Sequence, residues 1–368
     1  MSKYNNEDYL FEITEDGKYF AVKDKKTGDI VDYERIQGEN EKTINKNSVQ
    51  AFKEMKEKEE YRKNGQRKNS FAQTNSFYEN NVIGRYSPEQ LESLMYLVPY
   101  MNYNTDEKDN KDDIIRIGNK PAILKQLTKI MKVSINTGTQ YMEDFITDNI
   151  IEEVDTKGVN GKTYRFKNTA FLRGANDSDE FTKKLAFEKL KTVITKIETE
   201  VKKAVTKEKN LAVFAKKKPK FTQLYPLALL GALMSKTHYK TLMFLKNHSD
   251  PELVKNGEKV IDVLSKTKRF RAFKFLKQYE LYNMYSGLHI RSLNGNRKAE
   301  LEACIKILKK LGAIGSWDSN GREIFFMNPL LVYVSPNMKC DEEWKKIIFT
   351  FFNITSDDFN KTDEKENE

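Results

Sequence analysis

Twelve Lys and Arg side chains fall between residues 265 and 310, against three acids, Glu280, Glu300 and Glu302. Arg269, Arg271, Lys274 and Lys277 follow one another at spacings that put several on one face of a helix, which suits a run of phosphates. Asn294, Asn296, Arg297 and Lys298 then open a further helical pattern. A guanidinium fork can address a guanine edge, and an ammonium can hold a phosphate. The alternative for such a run is a solvated helix face, and the local shortage of acids favours a polyanion. The chain holds 64 Lys+Arg and 54 Asp+Glu, a formal charge of +10. Residues 1–75 carry 15 basic and 15 acidic side chains and residues 85–175 carry 13 of each, so neither block accounts for the surplus.

A second set of candidates is neutral: Ser134, Asn136, Thr137, Thr139 and Gln140. Asn and Gln can pair with adenine, and hydroxyls can reach phosphates or bases. Ser134 and Asn136 can equally be helix caps, and the block around them can serve dimerisation instead of DNA binding. Lys162, Arg165 and Lys167 follow in a hairpin pattern, and Arg322 takes the corresponding place in a later hairpin.

Enzyme chemistry finds little footing. His238, His248 and His289 lack metal-ligand spacing and the paired-histidine pattern of a rolling-circle nickase, and no GxxxxGK[ST] loop occurs. Cys304 and Cys340 can build neither a disulfide framework nor a zinc site. We therefore expect a protein that is not an enzyme and takes no cofactor and no metal. His289-Ile290-Arg291 fits a core or phosphate-contact role. The first residues, MSKYNNEDYLFEI, lack a signal-peptide layout, and the longest apolar run, around Tyr225 to Met234, is too short for a membrane span. A cytosolic, reducing location without membrane contact is expected.

The elements that would position these residues follow from periodicity. Residues 9–34 alternate around two Gly-containing turns and predict a three-stranded meander. Asn47 to Arg67 predicts a charged helix tapering into a linker through Asn80. Ser87-Pro88-Glu89-Gln90 is a helix start, with Leu91, Leu94, Met95, Leu97 and Val98 on one face. Ile114, Ile115 and Ile117 predict a short strand, Pro121 a second helix with Ile123, Leu124, Leu127, Ile130 and Met131 inward, and Val133 to Asn136 a turn into a third, burying Tyr141, Met142, Phe145 and Ile146. Asn160-Gly161, between Ile150–Val154 and Thr163–Phe166, is a strong hairpin signal. Helix, strand, helix, turn, helix and hairpin is the winged-helix order.

Residues 176–210 predict a charged connector or oligomerisation helix with Phe187, Leu190, Val193, Ile194 and Ile197 on one face, ending at a Lys216–Lys220 hinge. The plan then repeats. Leu242 to Leu245 predict a first helix, Phe270 to Tyr282 a second, and Asn296 to Leu311 a third that buries Leu301, Cys304, Ile305, Leu308 and Leu311. A hairpin turns at Asn320-Gly321, with Trp317 and Phe325 in its core. The acidic stretch from Asp357 to Glu368 is expected to be disordered.

The strings YRFKNTAFLRG from Tyr164 and IFFMNP from Ile324 resemble the wing exit of RepL-type plasmid replication proteins and related winged-helix regulators of phages and plasmids of low-GC Gram-positive bacteria. Met234 to Lys240 with Leu242 to Leu245 resembles that family's first helix. In the family a tyrosine strand runs into Asn-Pro and then a basic residue and Gly. Here Thr169 replaces the proline in the first copy, and the second lacks the Gly. The resemblance implies a mobile-element DNA-binding protein, with replication and transcription both open, and the family carries one such unit where this chain has two.

The expected fold is α+β, mainly α, with a meander and charged helix in 1–80, winged-helix domains in 81–175 and 221–340, a basic connector in 176–220 and a tail in 341–368. The expected function is non-enzymatic binding of double-stranded DNA at origin repeats. Transcriptional regulation, a protein-interaction adaptor and RNA binding are the alternatives. Self-association as a dimer and contact with host or element replication proteins are the further partners expected.

Overall fold

A computed structural model describes residues 8–15, 19–35, 71–102, 114–118, 120–167, 169–173, 183–255, 257–319, 322–334 and 341–353. The chain divides into two compact units, Met1–Tyr61 and Arg62–Glu368. It mixes helices with small antiparallel sheets, in keeping with an α+β class. Among the described residues, no helix is long and apolar enough to cross a membrane.

The first unit is a meander of β1 (Tyr9–Ile13), β2 (Tyr19–Asp24) and β3 (Ile30–Arg35). Its β2–β3 turn is built by Asp24, whose carboxylate accepts from the N–H groups of Lys26 (2.7 Å) and Thr27 (3.2 Å). Gly28 completes it at φ 76°, where a side chain would be strained. Ala21 and Val22 are buried.

The second unit opens with β4 (Phe71–Thr74), α1 (Ser76–Asn81) and α2 (Pro88–Leu97). Ser87 and Gln90 form a reciprocal capping box that starts α2. The two-residue strands β5 (Arg116–Ile117) and β6 (Lys120–Pro121) lead into α3 (Leu124–Met131) and α4 (Ile135–Thr147). Lys132, at φ 61°, ends α3, and Gly138 lets α4 approach it, since a Cβ there would overlap the Thr128 side chain. A hairpin of β7 (Ile151–Val154) and β8 (Thr163–Phe166) follows, then β9 (Phe171–Leu172). The N–H of Ile115 donates to the Tyr164 carbonyl at 2.8 Å, adding an extended segment to this hairpin.

The remainder runs through β10 (Lys183–Ala186), α5 (Phe187–Phe214), α6 (Pro226–Ser235), α7 (Val260–Ser265), α8 (Thr267–Phe270), α9 (Gln278–Ser286) and α10 (Gly295–Lys310). The hairpin of β11 (Ile314–Ser319) and β12 (Arg322–Met327), β13 (Val332–Val334) and α11 (Glu342–Phe351) complete it. The sheet that organises this unit has the order β13-β10-β4-β9, with β4 and β10 antiparallel at its centre. Glu92 in α2 binds the first turn of α6, and the wholly buried α6 runs through the core.

Several sequence expectations need correction. Leu242 to Leu245 do not form a helix. Leu242 adopts φ 59°, Met243 bridges Phe326, Leu245 bridges Phe275, and all four side chains are buried. Four consecutive apolar residues carry no period that separates a helix turn from a strand buried on both sides. The first helix of this half is instead α6. The helix expected over Phe270 to Tyr282 begins only at Gln278, because the segment before it is tied down by the Leu245–Phe275 bridge and by the Lys246 N–H bond to the Lys274 carbonyl (2.7 Å). Pro121 lies in β6 and the helix starts at Leu124. Residues 71–80 are not a linker, since β4 pairs with β10 and Ala72 and Tyr78 are fully buried. In α10, Ile307 takes the buried place expected of Ile305, which is only half-buried, as is Leu311. The expected helix over Asn47 to Arg67, the acidic end from Asp357, Asn168, Gly174, the Asn320-Gly321 turn and Cys340 lie outside the described residues.

Candidate nucleic-acid interface

The basic stretch is divided between three structural settings. Arg269 sits on the four-residue helix α8, Arg271 is its C-cap, Lys274 lies in the segment that follows, and Lys277 precedes α9. They therefore do not share one helix face, a second correction. Arg269 is also engaged: its guanidinium meets Glu258 at 2.6 Å and the carbonyls of Glu252 (3.4 Å) and Leu253 (3.3 Å). It staples this segment to the loop before α7. Lys266, Lys268, Arg271, Lys274 and Lys277 are exposed and make no ion pair among the described residues.

Asn294 is the N-cap of α10, its side chain accepting from the N–H of Arg297 at 2.9 Å. Gly295, Asn296 and Lys298 are exposed at the positive end of the helix dipole, where anions are favoured. Arg297 is half-buried. The acids nearby are turned to internal use. Glu300 accepts from the hydroxyls of Tyr282 and Tyr285, each at 3.0 Å, and Glu280 accepts from Lys246 (2.6 Å) and the Lys277 N–H (2.8 Å). Glu302 stands 3.8 Å from Lys298. Further along α10, Lys309 pairs with Glu323 at 2.7 Å and Lys310 with Glu200 at 2.5 Å, whereas Lys306 and Arg291 are exposed without an ion pair among the described residues.

The hairpin after α10 is seated by aromatics. Trp317 contacts Phe326, Trp344 and Phe351, at ring-centroid distances of 4.9, 5.4 and 5.9 Å. Phe325 is half-buried. Arg322 opens β12 opposite Ser319. The exit is fixed by Asn328, whose side chain donates to the Gly312 carbonyl (2.6 Å) and accepts from the Leu330 N–H (2.8 Å).

The equivalent helix of the first half differs. Helix α4 contains no Lys or Arg, and its exposed polar residues largely bond to one another. Ser134 caps the helix by accepting from the Thr137 N–H (3.1 Å) and touches the Thr137 hydroxyl (2.8 Å). Thr139 bonds back to the Ile135 carbonyl, and Gln140 donates to Asp144, which also receives Gln90. Asn136 is exposed. On the hairpin, Lys162 pairs with Glu153 at 2.6 Å, Arg165 with Glu152, and Lys167 donates to the Asn149 side chain. The hairpin cations Lys162 and Arg165, predicted to touch DNA, are thus matched by acids on the facing strand.

Sequence reasoning missed two buried polar groups between the halves. Glu92 on α2 accepts from the N–H groups of Leu227 (3.0 Å) and Ala228 (3.3 Å) at the start of α6. Burial pushes its carboxyl up to about 8, against the pull of those donors. Glu79 receives Lys236 and His248 Nε2 (2.9 Å); burial opposes its ionisation, but these donors hold it at about 2. Burial lowers the His248 pKa, consistent with a neutral ring that donates from Nε2 and accepts at Nδ1 from Lys183, 3.4 Å away. Lys183, beside it on β10, donates to the Ser235 carbonyl and is lowered by burial to about 7. A lysine pair at the start of a strand reads as solvated, and no local signal marks it as interior. His238 is buried against Thr241, and His289 is exposed. Among the described residues, no group of His, Cys, Asp and Glu is placed to hold a metal ion. Compared with protein-family profiles, curated proteins and solved structures, the chain matches none.

Proposed function

We propose that this chain is a non-enzymatic double-stranded-DNA-binding protein with two winged-helix units, the later of which supplies the main contact. The observation that carries this reading is the start of α10, where exposed Asn296 and Lys298 and half-buried Arg297 surround a helix N-terminus. The carboxylates of Glu280 and Glu300 are meanwhile occupied by Lys246, Tyr282 and Tyr285. A helix presented this way, followed at once by a hairpin seated on α11, suits insertion into a major groove with the hairpin beside it. Exposed Lys266, Lys268, Arg271 and Lys274 add cations for the phosphate backbone.

The wing-exit strings support a replication role at repeated origin sites of a plasmid or phage. The absence of Lys and Arg from α4 favours a second reading for the first half alone, in which it contacts protein. The test is salt-dependent binding of the full chain to the origin repeats of its own replicon, to the promoters of that replicon, and to RNA of the same sequence. Replication predicts the tightest binding at the repeats, with log K falling linearly in log salt. Equal affinity for RNA and duplex would overturn the reading.

A further inference from the structure

The second compact unit contains an internal dyad. At the centre of its sheet Phe71 lies opposite Ala186 and Thr74 opposite Lys183, and like any antiparallel pair β4 and β10 share a local two-fold axis, on which the flanking elements are matched. Both flanks obey that axis. Phe171 lies opposite Thr74, and the Leu331 carbonyl accepts from the Ala186 N–H at 2.9 Å, so the chain leaving each hairpin reaches the equivalent place. Helices α2 and α6 each have a proline in the first turn and meet where Gly231 approaches Tyr78 and Met95.

The bracing of the last helices is reciprocal as well. The turn before α4 ties to α5 through Lys132 and Glu198 (2.6 Å). The turn before α10 lies against the segment ahead of α2, where Gly84 donates to the Met284 carbonyl at 2.8 Å and a Cβ on Gly287 would meet the Tyr86 carbonyl at 2.8 Å. Each half therefore holds the other's last helix by its own leading segment. The arrangement is that of an isologous dimer written into one chain.

A dyad set against a duplex presents the same motif to base pairs in inverted order, which is why dimeric repressors read palindromes. The charges of the two copies differ. Helix α10 carries Arg297, Lys298, Lys306, Lys309 and Lys310 against Glu300 and Glu302, whereas α4 carries Glu143 and Asp144 and no cation. We infer that a single chain occupies an inverted pair of half-sites of unequal strength, the strong arm read by α10 and the weak arm by α4. This rests on the DNA-binding reading above and adds the symmetry, the stoichiometry and the inequality of the arms.

The test selects sites from a randomised duplex library with the full chain, followed by mass measurement of the complex and footprinting on the selected duplex. The inference predicts one chain per duplex and two enriched blocks in inverted orientation. The double variant R297E/K298E should weaken affinity by roughly tenfold or more, with protection fading first over one block. The variant N136A/Q140A should alter base preference only in the other block. Two chains on the inverted pair, two blocks in direct orientation, or one contiguous block would overturn it. Failure of any duplex to be enriched would remove the DNA-binding reading itself.

Discussion

The Glu92 carboxylate lies 3.0 Å from the backbone nitrogen of Leu227, so a side chain of α2 caps a helix 135 positions further along the chain. Tyr225, the residue at the N-cap position of α6, makes no side-chain cap bond, and Glu92 supplies the acceptor that the first turn requires. The contact joins α2 to the start of α6.

That contact sets a pH dependence. Glu92 is raised from 4.5 to about 8 by burial. Its contribution to stability is complete below pH 4.5 and is lost as pH climbs through about 8, on the order of a few kcal/mol in all. Lys183 runs the other way. Lowered from 10.5 to about 7, it contributes fully above pH 10.5, and that contribution is lost as pH falls through about 7. Thermal unfolding from pH 5 to 10 should therefore show Glu92→Gln losing less stability with rising pH than the parent, and Lys183→Met lacking the alkaline gain. Identical pH profiles for the three proteins would contradict both assignments.

Gly231 sets the distance between α2 and α6. A Cβ there would meet Tyr78 Oη at 2.8 Å and Met95 Sδ at 3.0 Å, and Tyr78 is fully buried. Gly231→Ala should cost about 1–3 kcal/mol by overpacking. Gly295→Ala, at an α10 position with nothing within 4 Å, should be neutral to slightly stabilising. Chemical denaturation separates the two, and a neutral Gly231→Ala would show that the crossing is loose.

Trp344 is buried against Trp317 and donates from Nε1 to the Thr241 carbonyl at 3.2 Å. Trp344→Ala should destabilise the protein by about 3–5 kcal/mol. Trp344→Phe keeps most of the packing and should cost about 1–3 kcal/mol, from the carbonyl left without its donor. Denaturant midpoints at constant m-value check this order.

The parts legible in the sequence are those with local signals. Ser87-Pro88 starts α2 and the apolar spacing of Leu301, Cys304 and Leu308 gives α10, whereas the first hairpin turns at Thr156–Val159 around Gly158 (φ 82°), ahead of the expected Asn160-Gly161. The central sheet was hidden for a physical reason. Its strands are two to four residues long, too short for a period, and each pairs with a segment far from it in the sequence. Lys183 and Lys184 open β10 as interior residues, the second lying over the Phe71 ring at 4.8 Å, which no charge pattern announces. At the candidate interface the residue types of α10 were readable. The partners that decide which charges remain available, such as Glu258 on Arg269 and Glu153 on Lys162, come only from tertiary structure.

Those partners make the most direct test a comparison of two charge reversals by the salt dependence of duplex affinity. Lys298 is exposed and 3.8 Å from Glu302, whereas Lys162 lies 2.6 Å from Glu153 and Arg165 pairs closely with Glu152. Replacing Arg297 and Lys298 by glutamate should lower affinity by roughly tenfold or more and reduce the slope of log K against log salt by about one for each phosphate no longer neutralised. Replacing Lys162 and Arg165 in the same way should change both quantities far less. Equal effects in the two variants, or an unchanged slope in the first, would contradict the assignment of the main DNA contact to α10.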